Sequence, residues 1–150
     1  MTTHFKGYLV AENGFKVGDK DSSTAVTSGW DATKSTITVG TEAATVINVA
    51  VQFNDAEGNA MTEPFYSTIY FSDDALGQTV ISTPITTLAV GTDGTIVVAH
   101  TAGTVIEAVS EADGDLDLDC TLDADDTMYM NIVAPDGTLL TSTVMTFNAS

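Results

Sequence analysis

The sequence predicts an all-β sandwich, on three observations. Thr and Val are abundant while Pro is scarce, with three in 150 residues, a composition suited to pleated, half-buried strands. Apolar residues alternate with polar ones in short runs, without a helical period. Turn signals of Gly, Asp, Asn and Pro recur roughly every 8–12 residues, the spacing of a sandwich.

Residues 1–10 hold a short apolar patch of Phe5, Tyr8, Leu9 and Val10, and residues 11–35 are rich in Gly, Ser, Thr, Asp and Lys. This stretch is too irregular for a core of its own and reads as an extended arm with two short strands. In 44–54, Ile47, Val49, Val51 and Phe53 share one face and Asn48, Ala50, Gln52 and Asn54 the other. Asp55-Ala-Glu-Gly-Asn59 turns the chain. The strand 65–72 sets Phe65, Ile69 and Phe71 against Tyr66, Thr68 and Tyr70. Asp73–Gly77 is a loop. Segments 80–83 and 85–90 are short strands split by Pro84, which points to an edge. Strands 95–100 and 104–109 follow the turn Gly91-Thr-Asp-Gly94. After Glu111–Gly114, the strand 115–122 places Leu116, Leu118, Cys120 and Leu122 inward and Asp115, Asp117 and Asp119 in water. Such acids on an exposed strand would also deter edge pairing. The hairpin 128–134 and 138–147 turns at Pro135-Asp-Gly137, where Pro sets φ and Gly accepts φ > 0.

Charge divides the chain. All four lysines (Lys6, Lys16, Lys20, Lys34) lie in the first 34 residues, and there is no Arg. The remainder carries 17 carboxylates and no Lys or Arg, which accounts for the net −17. A body without cations is a poor match for nucleic acid or an anionic membrane. The size fits one domain plus an arm, with the arm at 1–41 and the acidic sandwich at 42–150. No secretory h-region or membrane-spanning apolar run is expected.

The lone Cys120 reads as a buried apolar residue. Glu111-Ala-Asp-Gly-Asp-Leu-Asp117 is the densest acidic run. Asp113, Asp115 and Asp117 sit at alternate positions, as Ca²⁺ ligands would. A calcium loop starting at Asp113 then meets Leu118 where Gly is required and Ala124 where Glu is required, so no metal or cofactor is assigned. Only His4 and His100 could serve a histidine-based catalytic site, and no Gly-rich loop precedes a Lys. No enzyme is expected. The residues that stand out for partner binding are His4, Phe5, Lys6, Tyr8, Phe15 and Trp30. They combine aromatic anchors with cations on a segment lacking its own core.

Two resemblances follow. Val49-Ala-Val-Gln-Phe-Asn-Asp-Ala-Glu-Gly-Asn59 resembles the strand and turn of bacterial and phage immunoglobulin-like domains. Tyr70–Ala75, Val90–Gly94, Val109–Leu118, Ala134–Leu139 and Met145–Phe147, with the opening Thr3–Gly7, resemble small phage virion proteins of the head-decoration type. The resemblance implies an immunoglobulin-like β-sandwich in a non-enzymatic virion protein. That protein would bind the major capsid protein and self-associate, with a trimer suited to three-fold positions on a shell. The alternative is a tail or fibre adhesion module that binds host-surface glycan.

Overall fold

In a computed structural model, the described residues are 16–17, 20–21, 30–134 and 137–149. They form twelve strands. β1 (Lys16–Val17) and β2 (Lys20–Asp21) pair with each other as a two-stranded antiparallel ribbon. β3 (Thr36–Val39), β4 (Val46–Gln52), β9 (Asp115–Thr121) and β6 (Thr87–Val90) make a four-stranded sheet in the order β3-β4-β9-β6. β5 (Tyr66–Ser72), β7 (Thr95–Thr101), β8 (Val105–Val109), β10 (Asp126–Val133), β11 (Leu139–Thr141) and β12 (Met145–Phe147) make a larger one. Its order is β11-β10-β5-β8-β7, with β12 also on β10. Every named pairing is antiparallel. The fold is an all-β antiparallel sandwich of two sheets.

Alternation dictates which face goes inside. Ile47, Val49 and Val51 of β4, with Phe53 just beyond it, are buried, and so are Leu116, Leu118 and Cys120 of β9. These two strands pair along their full length, with Ile47 opposite Cys120 and Val51 opposite Leu116. From the larger sheet come Ile69 and Phe71, Ile106 and Ala108, Met128, Met130 and Ile132, and Met145 and Phe147. Burying each of the Val, Leu, Ile, Met and Phe side chains among these contributes about 1.5–3 kcal/mol before entropy is counted.

Several expectations shift. The sandwich begins well before residue 42. Trp30 is only 5 % exposed, and its ring lies edge-on to Phe53 and Phe65 at 5.2 and 5.5 Å. The turn after it is dovetailed to the end of β4. Asp31 N–H donates to Asn54 O (2.8 Å), Asn54 Nδ2 to Lys34 O (2.7 Å) and Asn54 N–H to Ser35 Oγ (2.9 Å). β3 then pairs with β4 from Thr36–Gln52 to Val39–Val49. Residues 30–41, assigned to the arm by composition, are therefore part of the body.

The strand at 115–122 is central, flanked by β4 and β6. Its acids line an open sheet face and guard no edge. Around Pro84, only Thr87–Val90 is a strand, and it does lie at an edge. The preceding segment contributes a single bridge, Val80 to Ser72. The last hairpin is divided. β10 pairs with β11 through Asn131–Thr141 and with β12 through Met128–Met145. Between them Ser142 N–H donates to Met130 O and Met130 N–H donates to Ser142 Oγ, both at 2.9 Å. This is a bulge that keeps both halves on β10. Of the hairpin turn, Pro135 and Asp136 lie outside the described residues. Ala134 N–H donates to Thr138 O (2.8 Å) across it.

Candidate functional site

The outer face of the four-stranded sheet gathers the acidic residues that the sequence singles out. β9 presents Asp115, Asp117 and Asp119, which lie opposite Gln52, Ala50 and Asn48 of β4. Asn48 Nδ2 donates to Asp119 Oδ1 (2.9 Å), and Gln52 Nε2 donates to Asp113 O (2.9 Å). Thr92 Oγ1 donates to the carboxylates of Asp117 and Asp93. A shallow depression of about 150 Å³ lies over this face. Thr36, Thr38, Gln52, Asp93, Asp115 and Asp117 contribute to its lining.

The electrostatics are strained there. Partial burial raises the Asp115 carboxyl above its ordinary range, and the neighbouring charges of Asp113, Asp93 and Asp117 push it the same way. A carboxyl raised in the folded state destabilises that state once the pH exceeds its unfolded value. Asp115→Asn is therefore expected to stabilise the protein, by about 0.2–1 kcal/mol as for other cross-strand charge effects. Thermal melts should show the gain at neutral pH and low salt. It should shrink as added salt screens the cluster and vanish below the unfolded carboxyl range. A gain that persists in acid would show that charge is not its source.

Of the three calcium candidates, Asp113 lies in the turn before β9, while Asp115 and Asp117 are two residues apart on its outer face. Among the described residues, no three or more His, Cys, Asp or Glu side chains are grouped to hold a metal ion. His100 Nε2 lies 2.8 Å from Glu107 Oε1, and Tyr66 Oη also donates to that carboxylate. The three sit on neighbouring strands of the larger sheet, whereas the acidic face belongs to the four-stranded one. Cys120 is fully buried, and burial, then the charge of Asp119, pushes its thiol pKa up to about 12. Its inertness follows from that, since the thiolate is the reactive form.

Of the partner-binding residues, Trp30 packs inside the body and is not free to anchor into another protein. His4, Phe5, Lys6, Tyr8 and Phe15 lie outside the described residues.

Sequence reasoning missed a second polar cluster. Asn131 sits at an outward register on β10 yet is fully buried. Its Nδ2 donates to Ser72 Oγ (2.7 Å), and its Oδ1 accepts from Thr141 Oγ1 (2.8 Å). The loop 73–79 covers it, held down by Tyr70 Oη donating to Gly77 O (2.8 Å). Within that loop Asp74 accepts the backbone N–H groups of Leu76, Gln78 and Thr79. The Asp-Asp-Ala-Leu-Gly sequence signals the loop, but not that it folds over the sheet.

No family model matches the chain, and no curated protein matches it. Among solved structures, the chain is similar to a cohesin module from a Clostridium perfringens ATCC13124 family 33 glycoside hydrolase. The likeness covers 77 % of this chain and 93 % of that one, at 13 % identity and a TM-score of 0.36.

Proposed function

We propose that this chain is a non-enzymatic structural protein of a virus particle, a capsid decoration protein that faces solvent with its acidic sandwich. Its N-terminal segment attaches to the major capsid protein through His4, Phe5, Lys6, Tyr8 and Phe15. The observation that carries this reading is the charge split. Every lysine precedes residue 35, and the rest of the chain carries 17 carboxylates without a single Lys or Arg. Such a body repels its own kind and other anions, so attachment falls to the segment that has both cations and aromatic side chains. Many copies on a symmetric shell turn a modest contact into firm attachment.

Co-sedimentation with undecorated capsids tests this. The full chain is expected to pellet at saturating stoichiometry, and a chain beginning at residue 30 is expected to stay in the supernatant. Equal pelleting of both would place the contact on the sandwich and sink the arm model.

A second reading has its own observation. The depression lined by Thr36, Thr38, Gln52, Asp115 and Asp117 offers hydroxyl, amide and carboxylate groups of the kind that hydrogen-bond sugars. A tail or fibre adhesion module would bind host-surface glycan there. Saturable binding to host cells, lost in Gln52→Ala and Asp117→Asn, would favour it.

A further inference from the structure

Three donor-bearing side chains meet on the outer face of the larger sheet. Tyr66 of β5, Glu107 of β8 and His100 of β7 come from adjacent strands, in the order β5-β8-β7. Register explains the meeting. Thr68 lies opposite Glu107 and Tyr66 opposite Val109, so Tyr66 is the diagonal neighbour of Glu107, within reach of a long aromatic side chain. His100 arrives by a bulge. The β7–β8 ladder slips between Ile96 and Val98 and again between Ala99 and Thr101. The second slip leaves His100 as the extra residue, and a bulge re-aims the side chain it carries. Its Nε2 lies 2.8 Å from Glu107 Oε1, while Tyr66 Oη donates to Glu107 Oε2. Stability does not account for this arrangement. The His100 side chain is 52 % exposed and that of Glu107 24 %, and an ion pair in water contributes little. The slip at Val97 already spoils the edge for pairing with another chain. What the second slip adds is an imidazole beside a carboxylate.

We infer that His100 Nε2 and Glu107 Oε1 form an open binding site for a divalent transition-metal ion of the Cu(II) class, with Tyr66 as the residue that positions the carboxylate. The donor set selects the metal. One imidazole nitrogen and one carboxylate oxygen suit Cu(II), Ni(II) or Zn(II), and Cu(II) leads the affinity order. Calcium wants more oxygens than the pair supplies. Geometry favours Cu(II) as well. Donors on adjacent corners of a tetragonal site with bonds of about 2.0 Å stand about 2.8 Å apart, which is the separation found. A tetrahedral site would hold them about 3.3 Å apart. The proton on Nε2 that bridges the two atoms leaves for the ring's Nδ1 or for solvent, and the ion takes its place. Tyr66 holds the carboxylate's other oxygen, the outer partner that metal-binding carboxylates commonly have. Water fills the remaining positions. Two protein ligands make a modest site, in keeping with the lack of any larger grouping of His, Cys, Asp and Glu among the described residues. Within the strands of the larger sheet the other acid is Asp126, at the start of β10 and two strands from β8. The net charge of −17 draws cations toward the molecule, and the imidazole decides where a transition metal stays. This inference rests on the sandwich alone and stands whether or not the chain decorates a capsid.

Calorimetric titration of the full chain with Cu(II) alone, joined to electron paramagnetic resonance, is the test. The chain has two histidines, His4 and His100, so a coordinated imidazole has two possible sources. The expected result is one Cu(II) per chain above the weak binding of scattered carboxylates, with one imidazole nitrogen in its spectrum. His100→Ala is expected to remove that nitrogen, and both His100→Ala and Glu107→Gln to weaken binding at least about a hundredfold. Tyr66→Phe is expected to weaken binding about tenfold, the low end for an outer partner, and to keep the nitrogen. His4→Ala and Asp117→Asn are expected to change neither readout. Near-UV circular dichroism checks that all variants remain folded. Equal Cu(II) binding by the native chain and His100→Ala overturns the inference. A nitrogen signal lost in His4→Ala and kept in His100→Ala also overturns it, by placing the metal on the N-terminal segment. Zn(II) binding more tightly than Cu(II) would overturn the assignment of metal.

Discussion

A chain that starts at residue 42 is expected not to fold, whereas one that starts at residue 30 is expected to fold cooperatively. The shorter chain loses β3 and so bares one side of β4, Val46–Gln52, whose inward residues build the centre of the core. It also loses the Asp31–Ser35 turn that holds Asn54, and the Trp30 ring that seals Phe53 and Phe65. Truncating a buried Trp alone costs about 3–5 kcal/mol, against a total stability of about 5–15 kcal/mol for a typical domain. Urea unfolding followed by circular dichroism separates the two chains. Point variants isolate the ring. Trp30→Ala is expected to lose about 3–4 kcal/mol. Trp30→Phe should lose far less, because the indole Nε1–H is buried with no acceptor among the described residues, and removing an unsatisfied donor offsets lost packing. If the chain from residue 42 matched the longer one in stability, the seal formed by residues 30–39 would be dispensable.

Gly103→Ala is the second large effect. Gly103 closes the β7–β8 turn at φ 67°, and its carbonyl accepts from Ile85 N–H at 3.0 Å. An added Cβ would lie 1.9 Å from Ile85 O. That atom is backbone and cannot swing aside, and Ile85 is itself in the core. The loop leading into β6 would have to part from the hairpin, at a cost of at least about 2–3 kcal/mol. Gly58 provides the control. It sits at φ 86° in the turn after β4, and nothing lies within 4 Å of an added Cβ. Gly58→Ala should therefore cost only the left-handed backbone penalty of about 1–2 kcal/mol. Equal losses at the two sites in urea titrations would mean that the Ile85 backbone yields easily.

The elements legible in the sequence were those with sustained alternation. β4 and β9 each repeat a two-residue period over seven residues, so their inward faces were assigned residue by residue, including Cys120. The turn at Asp55–Asn59 was also legible, because its chemistry is local. Asp55 Oδ1 accepts from Glu57 and Asn59 N–H at 2.9 Å, and Gly58 takes the left-handed conformation. These bonds, that from Asn59 foremost, hold the Asp55 carboxyl below its usual range.

β3 was not legible because Thr-Ile-Thr-Val is four residues long and earns its place only by pairing with β4. Trp30 looked like an anchor because a lone aromatic in a polar stretch carries no sign of what it packs on. The acidic face was half legible. Alternation showed which way Asp115, Asp117 and Asp119 point. It could not show that β6 and β4 flank them, since sheet order is set by contacts remote in sequence. Burial of Asn131 beneath the 73–79 loop was hidden for the same reason.

The pairing of Ile47 with Cys120 also governs how the molecule comes together in time. β4 and β9 are about seventy residues apart in the chain, so the central ladder forms only after a long loop has closed. Folding should therefore fall in the millisecond-to-second range of sandwiches. During that interval β4 and β9 carry open edges and bare apolar faces, the state in which chains aggregate. Seventeen carboxylates spread over residues 35–150 make each unfinished chain repel the next. The acidity of the body thus acts earliest on the nascent chain, keeping it solitary until its slowest contact is made.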